Sequence, residues 1–202
     1  MDPAKIRLSS NEMELVMNAE WILTKNGILR KAWHLLEGLQ EFQQSFLQEF
    51  ASSLPAEVIR VPAKISKGEN YRGLPYLILD YPRFFEKENV FAIRCMFWWG
   101  HHFSITLHLS GAMKERYNPV LGEAYAYLRN EGFYISCTDD EWEHHFEPDN
   151  YIPIQEMQQE VYLQQLQQRR FIKLSQRVTL ERWNDVHAIL SGYFSGLIKR
   201  LH

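Results

Sequence analysis

The stretch "VFAIRCMFWWGHHFSITLHLS", residues 90–110, constrains this chain more than any other. Two strand-like runs flank Trp99-Gly100-His101. Side chains in a strand alternate between faces, so the length of the connecting loop decides which groups meet. A two-residue loop pairs odd positions with even ones and mixes polar and apolar groups on both faces. A loop of three residues, or of five, keeps the faces sorted. Phe91, Ile93, Cys95 and Phe97 then share one face with Phe103, Ile105, Leu107 and Leu109. The other face sets Trp98 opposite His102, Met96 opposite Ser104, Arg94 opposite Thr106 and Ala92 opposite His108. In the usual three-residue loop the left-handed position falls on His101, where glycine fits better.

Around this hairpin the hydrophobic period predicts a mixed fold. Ser9 and Glu12 form a capping box that opens a helix to about Lys25, which Asn26-Gly27 ends. A longer helix to about Ser52 carries Leu29, Trp33, Leu36, Leu39, Phe42, Phe46 and Phe50. So short a break predicts an antiparallel helical pair. Strands are expected at 58–61, 76–81, 90–98 and 102–109, with the glycines of 66–75 shaping a loop. A helical region over 112–130 is expected to break at Asn118-Pro119 and to close at Gly132. "FYISC" and "WEHHF" read as another hairpin, Pro153 opens a helix to about Gln168, and "FIKLSQRV" gives a further strand. Thr179 caps a last helix bearing Trp183, Val186, Leu190, Tyr193, Leu197 and Leu201. With no repeat, consecutive strands and helices gathered at the ends, the fold class is α+β. The expected architecture is one domain over 1–202 with a twisted, mainly antiparallel sheet of about six strands. The helical layer of 1–53 and the C-terminal helix cover one face and are not independent of it.

The polar face of the 90–110 hairpin is the principal candidate site. Arg94, Trp98, His102, Ser104, Thr106 and His108 combine a guanidinium, two hydroxyls and two imidazoles with an aromatic wall. Such a row suits a small anionic ligand or a protein segment, because arginine pairs with carboxylate or phosphate and few polar groups against aromatic surface make a pocket. The competing reading is a solvated sheet face, common in antiparallel sheets. Tyr71, Arg72 and Arg83 could rim the same face; alternatively Asp80 and Arg83 form a local ion pair.

A metal-dependent hydrolase is the second functional class. In "EWEHHFEPD" an extended chain puts Glu141, Glu143, His145 and Glu147 on one face and His144 on the other. Glu143 and His145 could share a metal if His102 or His108 supplied a third ligand. A charged edge strand accounts for the same residues. Ser104 has no nucleophile elbow around it. Cys95 and Cys137, the only cysteines, fall on apolar faces, where buried thiols are expected rather than a disulfide or a reactive thiolate. No cofactor motif occurs, and no cofactor is expected.

A net charge of −3 gives no bulk attraction to nucleic acid or to an anionic membrane. The basic run "QRRFIK" reads as a strand with a solvated face. With no signal peptide and no span-length apolar stretch, a cytoplasmic location is expected. Ala188, Gly192 and Gly196 recur at four-residue steps on the last helix. They imply close packing within the chain or, alternatively, a homodimer contact through that helix.

Overall fold

A computed structural model describes residues 6–50 and 54–202, so the expected helix end near Ser52 lies outside the described residues. The elements in chain order are α1 (Ser10–Met17), α2 (Ala19–Glu49), α3 (Ala56–Arg60), β1 (Lys64–Tyr71), β2 (Leu74–Phe85), β3 (Val90–Trp98) and β4 (His102–Ser110). These are followed by α4 (Gly111–Glu123), α5 (Tyr125–Asn130), β5 (Tyr134–Ser136), β6 (Tyr151–Pro153), α6 (Gln159–Gln168), β7 (Phe171–Thr179) and α7 (Val186–Leu201). The fold is α+β. Seven strands, one more than expected, form one antiparallel sheet in the order β1-β2-β3-β4-β7-β5-β6.

The central hairpin takes the three-residue register. Phe97 pairs with Phe103, Trp98 with His102, Arg94 with Thr106 and Ala92 with His108. The turn differs in one detail: the left-handed residue is Gly100, with φ +75°, and Trp98 O accepts the His101 N–H at 3.1 Å. Glycine occupies the position that costs a side chain most, and His101 is left free to stack on Trp98 with ring centroids 3.5 Å apart.

One sheet face is apolar except for Lys67 in β1 and Gln176 in β7, whose Nε2 donates to the Glu131 and Gly132 carbonyls. Leu79, Ile93, Cys95, Phe103, Ile105, Leu107 and Leu174 on it are buried beneath α2, α4 and α7. The α2 stripe Ala32, Leu36, Leu39, Gln43 and Leu47 and the α7 stripe Leu190, Phe194, Leu197 and Leu201 follow the helical period. Phe42 and Phe46 meet Phe194 edge-on across the two helices.

Several local signals are overridden. Asn26-Gly27 does not end a helix: α2 runs through it, and a Cβ on Gly27 would meet only Arg30, at 4.0 Å. The cost of about 1 kcal/mol for a glycine inside a helix is small beside the burial of the α2 stripe. The break lies instead at Asn18, whose side chain caps Trp21 N–H at 3.2 Å, so no antiparallel pair forms. Pro119 sits inside α4, held helical by the stripe Met113, Tyr117 and Leu121 against the core, and the break shifts to Ala124. Residues 56–60 form the short helix α3, not a strand, with Val58 buried and Ile59 half-buried against the core. The expected loop at 66–71 is instead part of β1. Arg72 and Gly73, at φ +49° and +83°, turn it directly into β2.

Cys95 is buried and Cys137 half-buried, and both thiols are free. Burial pushes the Cys95 thiol up to about 12. Among the described residues no helix is long and apolar enough to cross a membrane.

Candidate functional site

The polar face carries one transverse row across six strands. Lys64 pairs with Asp80, Asp80 with Arg94, Arg94 with Thr106, Thr106 with Ser175 and Ser175 with Tyr134. Each residue occupies the same pleat position in its strand, so consistent register aligns them. Arg94 donates Nε and Nη2 to the two Asp80 carboxylate oxygens, at 2.7 and 2.9 Å. The Thr106 and Ser175 hydroxyls lie 2.7 Å apart. Asp80 thus pairs with Arg94 and not with its sequence neighbour Arg83, which donates Nε to Pro62 O at 2.8 Å. A register shift between Asp80 and Arg83 brings both side chains to the polar face, where Arg83 turns to the Pro62 carbonyl and leaves Asp80 to Arg94.

Across β4 and most of β7 this face is buried, not solvated. The 14-residue connection between β5 and β6, residues 137–150, lies across it as a strap. The expected strand at 142–146 does not form, because the strap spends its polar groups on local turns and on the sheet. Thr138 Oγ1 accepts the Asp140 N–H, and Asp140 Oδ1 accepts the Trp142 N–H, two bonds that compete with a ladder. Glu141 meets His108 at 3.0 Å, and His144 Nε2 meets Arg94 Nη1 at 3.1 Å. Lys173 donates to Glu143 O. Tyr71 pins the centre: its hydroxyl accepts the N–H groups of His144 and His145 and donates to Glu143 Oε2 at 2.8 Å.

Burial sets the protonation states beneath the strap. Lys173 is lowered to about 7 by burial, with the Arg94 charge adding to the effect. Burial, then the charges of Lys173 and Arg94, hold His144 well below the imidazole range, so its Nε2 accepts from Arg94. Burial outweighs the Glu141 carboxylate at His108 and lowers it too. His102 falls to about 4 through burial and the Arg177 charge.

The six expected site residues therefore separate. Thr106 and His108 are buried and satisfied by Ser175 and Glu141. Trp98 donates Nε1 to Tyr71 O at 3.3 Å. His102 packs edge-on against Phe146 and Trp98, with Nε2 unpartnered, and Ser104, two residues on and on the same face, is buried. Only Arg94 reaches open space, a groove of about 570 Å³ between the strap and the β1–β2 hairpin. Its walls include Tyr71, Tyr76, Arg83, Trp142 and His144, with Lys64 and Asp80 on its floor. Tyr71 and Arg83 rim the face as one sequence reading held, whereas Arg72 turns to Glu143, at 3.5 Å.

Glu143 and His145 approach within 3.2 Å, but His102 and His108 lie elsewhere on the sheet. Among the described residues no group of three or more His, Cys, Asp or Glu side chains is placed to hold a metal ion. Sequence reasoning missed Lys173, Ser175 and Tyr151. The "QRRFIK" strand is interior, between β4 and β5, so its polar side lies under the strap and not in water. The alternation Lys173, Ser175, Arg177 was the available signal. No known family model matches the chain, and no match is found among curated proteins or among solved structures.

Proposed function

We propose that the chain is a binding module that takes a small anionic ligand with a flat or apolar body in the groove beside Arg94. The observation that carries this is the composition of the groove. Lys64, Arg83 and Arg94 face a single carboxylate, Asp80, between the aromatic walls of Tyr71, Tyr76 and Trp142. Asp80 fixes the Arg94 guanidinium from one side, and the neutral His144 ring holds a second edge without cancelling its charge. A pre-positioned guanidinium recognises carboxylate or phosphate with little entropic cost. Arg83 bonds the backbone through Nε and lines the same groove, its terminal nitrogens not engaged by Asp80. The remaining charged groups of the face are consumed in holding the strap, which favours binding over catalysis.

The test is a calorimetric and thermal-shift panel of aromatic and aliphatic carboxylates and phosphate monoesters, each beside its neutral amide or alcohol. Arg83→Gln is the diagnostic variant, since it leaves the Asp80–Arg94 pair intact. Binding of an anion, weakened about tenfold or more by Arg83→Gln through loss of a charge-assisted contact, supports the proposal. Absence of any anion binding, or binding indifferent to Arg83, overturns it.

A further inference from the structure

We infer that the N-terminal arm, formed by α1 and the first two turns of α2, is the contact through which two copies of this chain associate. The arm is structured, yet beyond the Lys25–Glu69 ion pair at 3.2 Å it buries little. α1 has no buried residue, and α2 has none before Ala32. An eight-residue helix is marginal alone in water, even with its capping box, so its stability calls for a packing partner. Met13, Val16, Met17, Trp21, Ile22 and Leu23 are between 47% and 77% exposed, an apolar concentration that isolated surface residues do not account for.

The patch holds both halves of a self-complementary contact. α1 offers an apolar knob. Beyond it, Trp21, Ile28 and the hairpin-tip Trp99 line an open groove of about 350 Å³, with Asn18, Glu20, Thr24 and Lys25 at its polar edge. Because knob and groove lie on one chain, a two-fold axis fills both grooves with one operation. Of the twelve exposed large apolar residues among the described residues, nine lie between Ile6 and Leu23, so apolar surface of the kind an ordinary interface covers, about 800 Å² per partner, is concentrated in this arm. Glu12, Glu14 and Glu20 flank the apolar residues and disfavour the anionic membrane surface that would otherwise suit such an arm. The C-terminal helix offers less. A Cβ on Gly196 would overlap Tyr127 of the same chain, and Gly192 faces open space with no apolar neighbour.

The test is sedimentation of the full chain from about 1 to about 100 μM. The expected result is a species of twice the 24.1 kDa chain mass. Val16→Glu with Leu23→Glu should weaken association at least a hundredfold and leave the near-ultraviolet circular dichroism of the sheet domain unchanged, since both residues are exposed. Gly192→Leu should leave the dimer intact. A wild-type monomer throughout the range overturns the inference, as does a dimer that survives the arm variant or is broken by Gly192→Leu.

Discussion

Lys173→Met is expected to remove a pH dependence of stability that the wild-type chain carries in its sheet. Lys173 lies under the strap, donating to Glu143 O and resting over the Tyr151 ring at 5.5 Å, with its ammonium lowered from 10.5 to about 7. Between those values the unfolded chain binds a proton there that the folded chain does not, so stability rises with pH across the window. The gap corresponds to about 5 kcal/mol of penalty below pH 7, since one pH unit is worth about 1.4 kcal/mol. From about pH 7.5 to about pH 9 the penalty shrinks by ~2 kcal/mol. For a chain of this length that is a rise of about 4–8 °C in Tm relative to the variant. Methionine keeps the volume and has no proton to gain, at the cost of about 1–3 kcal/mol for the abandoned Glu143 carbonyl at every pH. Urea denaturation of both proteins at matched pH gives the difference directly. Cys95 and the buried tyrosines titrate alike in the two and cancel. A wild-type-minus-variant difference that stays constant with pH would refute the reasoning, because it would mean that Lys173 keeps its ordinary affinity for protons in the folded chain.

Two further predictions concern neighbouring elements. Gly192→Ala should stabilise by about 0.5–1 kcal/mol, since its Cβ meets nothing and helix propensity improves, whereas Gly196→Ala should destabilise by about 1–3 kcal/mol as Tyr127, held by Arg200, is pushed aside; equal effects in thermal melts would contradict the packing described. Tyr71→Phe should cost about 1–3 kcal/mol and speed hydrogen exchange at the His144 and His145 amides above all others, because one hydroxyl satisfies both; unchanged exchange at those two sites would count against Tyr71 as the pin.

The hairpin register was legible because sorting Phe97 with Phe103 and Arg94 with Thr106 leaves only odd loop lengths, and alternation is a property of the local chain. The helix and strand signals that failed did so where distant contacts outweigh a local cost. Leu36 and Leu39 on the core hold α2 through Asn26-Gly27, and Tyr117 and Leu121 hold α4 through Pro119. The site was half legible. Composition marked the polar face, but nothing in residues 137–150 declares which side chains they will cover, since those contacts depend on where β7 inserts in the sheet. Lys173 looked solvated for that reason, and Asp80 found Arg94 across a strand instead of Arg83 three residues away.

The transverse row also discriminates among folding errors that the apolar face tolerates. A one-residue slip of any strand is costly because it turns leucines and phenylalanines outward. A two-residue slip restores every apolar side chain to the core and would pass unnoticed there. It would, however, carry Asp80 past Arg94 and Thr106 past Ser175, leaving a charge and a hydroxyl stranded beneath the strap. Breaking such a buried pair costs about 3–5 kcal/mol, a large fraction of the stability of an ordinary domain. The polar groups thereby act as a vernier on the sheet: the apolar faces set its coarse alignment, and the ion pair and hydroxyl pair admit one fine setting.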